Sequence, residues 1–217
     1  MASVARILVI DDEEIVLDSC TQVLGSAVWQ PTGGKVGGAF ASSGNVGGGN
    51  ETTIMDILKA LMKLAQPGRL VFASTSEIYG KNPKIPWKES SDRVLGPPDI
   101  DRWVYSSSKA LCEHILFATA RKQALSMVIL RPFNVYGPGQ APVNVVPRNI
   151  CRLLKNMDPI VYDNGKQVRC FTYIDDVVNA FILAATSKEA TGRAFNIGRN
   201  EPTTIEELLS SMIKIHG

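Results

Sequence analysis

Arg69-Leu70-Val71-Phe72-Ala73, followed by Ser74-Thr75-Ser76-Glu77, is the stretch from which the fold of this chain is read. The apolar run predicts a buried strand, and the hydroxyl-rich exit puts polar side chains at its end. Upstream, Ile54, Ile57, Leu58, Leu61, Met62 and Leu64 recur at helical spacing, and Pro67-Gly68 stops that helix. Downstream, a helix is predicted from about Trp103 to Lys122, with Ala110, Leu111, Ile115, Leu116 and Ala118 as apolar contacts. Met127-Val128-Ile129-Leu130 is the next strand, and Val145 to Lys155 a further helix. Ile160-Val161-Tyr162 and Cys170-Phe171-Thr172 flank Asp163-Asn164-Gly165, which predicts a hairpin-like turn. Asp175 or Asp176 caps a helix running through Ala185, Ala194-Phe195-Asn196-Ile197 is a short strand, and Thr204 with Glu207 forms a capping box for the last helix. Strands alternating with helices predict an α/β fold, a mainly parallel sheet with helices on both faces.

The N-terminal part differs in character. Arg6-Ile7-Leu8-Val9-Ile10 predicts a buried parallel strand, Asp11-Asp12-Glu13-Glu14 an acidic turn, and Ile15, Val16, Leu17, Cys20, Val23 and Leu24 a helical face. Acids there suit the positive end of the helix dipole. Nine of the 18 glycines lie between Gly25 and Asn50, where Lys35 is the single charged residue. That stretch reads as a linker or irregular loop. The rival reading, a phosphate-cradling loop, fits less well, because Lys35 is not followed by Ser or Thr and no strand precedes the glycines. The expected organisation is a βα unit over 1–25, a Gly-rich linker or loop over 26–50, and the main portion over 51–217.

Composition narrows the function. Among 217 residues, 23 Lys and Arg oppose 21 Asp and Glu, and 45% are hydrophobic. Such a chain is too apolar for wholesale disorder and has no basic run to hold nucleic acid. No apolar run approaches the roughly 18 residues of a membrane span. Cys20, Cys112, Cys151 and Cys170 lie far apart, with neither metal-ligand spacing nor a secreted disulfide framework. A cytoplasmic protein without nucleic-acid, membrane or metal partners is expected.

The chemistry centres on Thr75 at a strand end and on Tyr105 and Lys109, four apart on one helical face. A phenol titrates near pH 10, too high for a base at neutral pH. A cation about 4 Å away at an effective dielectric near 20 contributes about 4 kcal/mol, enough to lower that value substantially. A hydroxyl such as Thr75 then shares a hydrogen bond with the alcohol whose proton the tyrosinate removes. A second Tyr-x-x-x-Lys, Tyr162 with Lys166, spans the Asp163-Asn164-Gly165 turn, so no helix aligns its side chains.

Three longer runs extend the pattern: Phe72-Ala73-Ser74-Thr75-Ser76-Glu77-Ile78-Tyr79-Gly80, Tyr105-Ser106-Ser107-Ser108-Lys109, and Arg131-Pro132-Phe133-Asn134-Val135-Tyr136-Gly137-Pro138-Gly139. Val168 to Val178 and Phe195-Asn196-Ile197-Gly198 follow in order. Over about residues 51–217 the chain resembles the extended short-chain dehydrogenase/reductase family, and within it the nucleotide-sugar epimerases, dehydratases and decarboxylases. The resemblance implies a Rossmann-like doubly wound sheet, NAD as cofactor, and a sugar nucleotide such as a UDP-sugar, transiently oxidised at C4. Tyr105 would take the hydroxyl proton, Lys109 would hold the nicotinamide ribose, and Thr75 would complete the triad. Ser74 and Pro132 would join Tyr105 and Lys109 in binding the cofactor. Ser76, Asn134 and Arg169 would contact substrate, with Arg169 on the diphosphate, for which a guanidinium is suited. Thr75-Ser76-Glu77 looks more like the decarboxylase or epimerase pattern than the dehydratase one. Glu77 either acts near a sugar carboxyl or orients the strand-end loop. A homodimer through the Tyr105 helix is also implied.

Two departures qualify the expectation. Only 74 residues precede Thr75, where a dinucleotide fold would need about 90. No Gly-x-x-Gly-x-x-Gly follows the first strand, where four carboxylates stand instead, opposing a pyrophosphate. Residues 5–25 resemble the opening of a response-regulator receiver domain, in which Asp11 and Asp12 would hold Mg²⁺. The fold is therefore expected to be incomplete relative to the family at both ends, with a receiver-like start joined to an epimerase-like portion. Beside the enzyme, the sequence leaves open a non-catalytic Rossmann-like fragment or scaffold and, remotely, a receiver-type signalling module.

Overall fold

The computed structural model of the chain describes residues 7–10, as backbone, and 69–217. The predicted helix over 54–64, the acidic turn and the Gly-rich stretch lie outside the described residues. In chain order the elements are β1 (Ile7–Ile10), β2 (Arg69–Ala73), a short 3-10 helix (Ser76–Tyr79), α1 (Arg102–Gln123), β3 (Met127–Pro132), β4 (Val135–Tyr136) and α2 (Val145–Leu153). They continue with β5 (Val168–Cys170), β6 (Thr172–Tyr173), α3 (Ile174–Thr186), a 3-10 turn (Lys188–Ala190), β7 (Arg193–Ile197), β8 (Pro202–Thr204) and α4 (Ile205–His216).

Two compact units divide the chain. The first contains the described residues through Pro132 and then Val178–Ile197; the second contains Phe133–Val177 and Gly198–Gly217. A four-stranded parallel sheet in the order β1-β2-β3-β7 organises the first. Its register pairs Ile7 with Arg69, Leu70 with Met127, and Val128 with Arg193. A strand from the start of the chain thus lies beside one from far downstream, and the next two add outward. That is the order of one half of a doubly wound sheet, with the crevice at the switch point beside β1. The predicted Rossmann-like sheet is borne out over these strands.

Leu70, Val71, Phe72 and Ala73, like Met127 to Leu130, are at most 1% exposed. This is why they read as unbroken apolar runs rather than as an alternating pattern. Leu70, Phe72, Met127 and Ile129, alternate residues of neighbouring strands, share one face and pack against Cys112 and Leu116 of α1. Each such side chain contributes about 1.5–3 kcal/mol by leaving water. α1 ends where Ala124 adopts the left-handed conformation at φ 52°, with Arg121 and Lys122 in the last turn complementing the dipole.

Arg69, the half-buried first residue of β2, ties the far end of the unit to the sheet. Its guanidinium donates to the carbonyls of Ala184 at 2.9 Å, Ala185 at 3.4 Å and Ser187, and to the Thr191 hydroxyl at 2.6 Å. The first two are α3 carbonyls left without helical partners, where a cation is also favoured by the dipole.

In the second unit β4 pairs parallel with β6, and β5 pairs antiparallel with β8. The capping box forms as predicted: the Thr204 hydroxyl accepts from Glu207 N–H at 3.1 Å, and the Glu207 carboxylate accepts from Thr204 N–H at 2.8 Å. Gly137 is required by close approach, since a Cβ there would stand 2.4 Å from Ile174 Cγ2. Two expectations are corrected. Residues 160–162 form no strand and no hairpin closes across Asp163-Asn164-Gly165. Val168–Cys170 pairs instead with Pro202–Thr204, while Ile160 N–H goes to the Asn149 side chain at 2.7 Å. Asp175 and Asp176 do not precede a helix but sit inside the first turn of α3, which begins at Ile174.

Replacing Arg69 with Met keeps the stem but leaves the α3 carbonyls unpaired. Urea unfolding is expected to show a loss of about 2 kcal/mol relative to the parent chain.

Candidate active site

The carboxyl end of β2 gathers the first group of predicted residues. Ser74 continues the pairing, its N–H donating to Leu130 O at 2.7 Å, and its side chain is only 4% exposed. Its hydroxyl finds no hydrogen-bond partner among the described residues. Thr75, also buried, is the N-cap of the 3-10 helix: its hydroxyl oxygen accepts Glu77 N–H at 3.2 Å. That bond occupies an acceptor lone pair and leaves the hydroxyl proton to be donated elsewhere. Ser76 is half-buried, and Glu77 points into solvent.

α1 brings the second group to the same strand end. Lys109 is 1% exposed, and its Nζ donates to Ala73 O at 2.7 Å. The ammonium stands 5.2 Å from the Phe72 ring centroid and 5.7 Å from that of Tyr105. An isolated ammonium would be costly here; the carbonyl and the two rings offset much of that cost. Tyr105, one turn earlier, is half-buried, so its ring rests near the ammonium while its edge reaches the surface. Ala73 lies two residues before Thr75, so Lys109 anchors α1 to the backbone from which the Thr75 hydroxyl projects. Thr75, Tyr105 and Lys109 therefore converge on one region. Pro132 ends β3 in register with Ile197 in the same unit.

Asn134 and Arg169 belong to the second unit. Asn134 is exposed with φ at 35°; its side-chain amide donates to Cys170 O at 3.2 Å, and its carbonyl accepts Thr172 N–H. Arg169, on β5, is exposed and donates to the neighbouring Val168 carbonyl at 2.9 Å. The second Tyr-x-x-x-Lys lies in a turn, and the Tyr162 hydroxyl takes a hydrogen bond from Arg148.

A buried polar network next to the triad was not anticipated. Arg131, 7% exposed at the end of β3, binds Glu113 of α1 through Nε to Oε1 at 3.0 Å and Nη2 to Oε2 at 2.6 Å. Its Nη1 donates to the Tyr79 hydroxyl at 2.7 Å and to Glu89 O at 3.0 Å. Tyr79 O–H donates to Asn196 Oδ1 at 2.7 Å, and its ring stacks on Trp87 with centroids 5.1 Å apart. Asn196 N–H donates to the Glu89 carboxylate at 2.9 Å, and its amide to Trp87 O at 3.1 Å. Burial pulls the Arg131 pKa down, but bonding to and charge attraction from Glu113 and Tyr79 outweigh it and the net direction is up. Burial raises the Tyr79 phenol above its ordinary value despite the opposing Arg131. Two signals for this network were in the sequence: Glu113 stands four residues after Lys109, and Arg131 interrupts an apolar strand.

Comparison with known proteins now bears on this arrangement. A profile of the NAD dependent epimerase/dehydratase family matches residues 34–198. The chain belongs to that family. Among curated relatives, the UDP-N-acetyl-alpha-D-glucosaminuronate decarboxylase of Bacillus cytotoxicus is 40% identical over 156 residues, 70% of this chain and 47% of that protein. The chain thus spans about half the length of this relative. The UDP-glucuronic acid 4-epimerase of Bacillus cereus, solved with UDP-glucuronic acid and NAD, superposes with a TM-score of 0.67 at 26% identity, covering 94% of this chain and 64% of that one. The UDP-N-acetylglucosamine 4-epimerase of Methanobrevibacter ruminantium M1 superposes at 0.77 over 97% of this chain and 82% of its own; at 22% identity it speaks for the fold. The profile reaches back to residue 34, within the stretch expected to be linker.

The cofactor in the family's name can be tested against the described residues. A buried, unpartnered Ser74 hydroxyl and a buried Lys109 ammonium at the carboxyl ends of parallel strands suit the polar nicotinamide-ribose end of a dinucleotide. The acidic residues Asp11 to Glu14 lie outside the described residues. Among the described residues no three His, Cys, Asp or Glu side chains group as a metal site, and no helix is long and apolar enough to cross a membrane.

Glu89 couples this region to pH. The Asn196 N–H it accepts holds its carboxyl below the ordinary carboxylate range. A depressed pKa gives stability that is present above the unfolded value and lost as pH falls through the folded one. Glu89→Gln is expected to lower the thermal midpoint at neutral pH, and the gap to the parent chain should close as pH drops below about 4.

Proposed function

We propose that this chain is the catalytic core of an NAD-dependent nucleotide-sugar epimerase or decarboxylase. The observation that carries the reading is the buried Lys109 ammonium, bonded to Ala73 O at 2.7 Å and held 5.7 Å from the Tyr105 ring centroid. In this reading a sugar hydroxyl sits between Thr75 and Tyr105. Thr75, its oxygen already engaged as an N-cap acceptor, donates its proton in a hydrogen bond to that hydroxyl. Tyr105, with its phenolate favoured by the neighbouring cation, removes the hydroxyl proton and later returns it. Ser74, Tyr105, Lys109 and Pro132 would hold NAD, which when bound supplies the hydride acceptor at the sugar carbon.

The substrate class follows the relatives. The curated relative acts on a UDP-linked uronic acid, and the Bacillus cereus structure holds UDP-glucuronic acid, so a UDP-sugar with a carboxyl group is the preferred candidate. Asn134 and Arg169 of the second unit would contact it, Arg169 at the diphosphate. Glu77 is solvent-exposed, which suits either contact with a sugar carboxyl or support of the strand-end loop.

A specific observation favours a second reading, a non-catalytic scaffold. β1 lies beside β2 at the switch point, and Asp11 follows its carboxyl end in sequence, where a dinucleotide fold keeps bare amides for the pyrophosphate.

Titration of the purified protein with NADH, followed by nicotinamide fluorescence, separates the two. Saturable binding at micromolar concentrations is expected, with turnover of a UDP-uronic acid that Tyr105→Phe abolishes while sparing cofactor binding. A folded protein without saturable binding would support the scaffold instead.

A further inference from the structure

Tyr105, Lys109 and Glu113 follow one another at intervals of four on α1, so they line one face in successive turns. The last two reach different strands. Lys109 binds the carbonyl of Ala73 on β2, and Glu113 grips Arg131 of β3 with two hydrogen bonds. These points are adjacent across the sheet, because Ala73 pairs with Leu130, the residue before Arg131. One attachment would leave the helix able to rotate about its axis or slide along it. Two attachments one turn apart, on two strands, remove both freedoms. A slip of one residue would move a side chain about 1.5 Å and swing it about 100° around the axis.

The same guanidinium holds the other side of the site. Its Nη1 bonds the Tyr79 hydroxyl, and Tyr79 closes the short 3-10 helix that Thr75 caps. Arg131 thus ties the Thr75 segment and the Tyr105 helix to one rigid point. Both members of the pair are buried, Glu113 at 5% and Arg131 at 7% exposure. In such a place an ion pair is a weak source of stability, since well-packed apolar side chains of similar volume often stabilise as much or more. What an apolar pair cannot supply is the direction fixed by a bidentate contact.

We infer that Glu113 and Arg131 are positioning residues, whose bidentate contact sets the height and rotation of α1 and so places the Tyr105 phenol relative to Thr75 and Lys109. This rests on the reading of Tyr105 and Lys109 as the acid–base pair. Misplacement by about 1 Å can reduce turnover by roughly a hundredfold.

The test replaces the pair by an apolar one, Glu113→Met with Arg131→Met, and follows the ionisation of Tyr105 by NMR of ring-labelled tyrosine, assigned with Tyr105→Phe. Thermal unfolding is recorded alongside, and Glu113→Asp, which keeps both charges but shortens the reach, provides a second variant. The double variant is expected to keep a cooperative transition while the Tyr105 pKa rises by about one pH unit toward the free phenol value. Glu113→Asp should move it in the same direction. In turnover assays kcat should fall with little change in KM for the sugar nucleotide. A Tyr105 titration unchanged in a folded double variant would overturn the positioning role and leave the pair as packing. Should the double variant lose its transition, Glu113→Asp decides, and an unmoved Tyr105 there overturns the role equally. Lys109→Met separates the underlying reading: if it leaves the Tyr105 titration unmoved, the acid–base pair fails and the inferred role falls with it. A response to Lys109→Met without one in the folded double variant sinks only the positioning role.

Discussion

A buried ammonium on a strand-end carbonyl is the constraint around which the first unit is arranged. Lys109 is fully enclosed, and its bond to Ala73 O can form only if α1 lies at one height against β2. That height is supported by the apolar contacts of Cys112 and Leu116 with Leu70, Phe72, Met127 and Ile129. The apolar layer provides most of the favourable free energy and is indifferent to small slides of the helix. The polar contact is weaker in net terms but directional, so it selects one arrangement from the several that burial alone would permit.

The same division of labour recurs at the end of β3. Arg131, Glu113, Tyr79, Asn196 and Glu89 are linked by hydrogen bonds that run from the buried Arg131–Glu113 pair to the exposed Glu89. Arg131, Glu113, Tyr79 and Asn196 each meet a partner of suitable charge or polarity, which is the condition under which a buried network is tolerated. Its position is informative. It sits at the carboxyl end of the parallel sheet, the end at which open α/β folds bind ligands.

Family membership and local geometry support each other at different levels. The NAD dependent epimerase/dehydratase profile covers most of the chain, while the relative at 40% identity is matched over about half its own length. Tyr105, Lys109 and Thr75 meet in the first unit. The second unit, with its capped final helix and paired short strands, carries Asn134 and Arg169.

Much of the fold was legible in the sequence, because burial leaves a one-dimensional trace. The continuous apolar runs of β2 and β3, the helical spacing of α1 and the Thr204–Glu207 box each declare themselves within a few residues. The grouping of Thr75, Tyr105 and Lys109 was legible for a related reason: Tyr105 and Lys109 are joined by helical periodicity, and Thr75 stands at a strand end. The hairpin expected at Asp163-Asn164-Gly165 failed because its flanks look alike locally, yet Val168–Cys170 pairs with Pro202–Thr204, over thirty positions away. Arg131 reads as an interruption of an apolar strand until the fold sets Glu113 against it. The sequence alone determined the central strands β2, β3 and β7, the helix α1 and which residues could do chemistry, since those depend on near neighbours. Tertiary structure alone decided which strand pairs with which, and which charge answers which, since a buried ion pair exists only when two distant segments have been brought within hydrogen-bond distance.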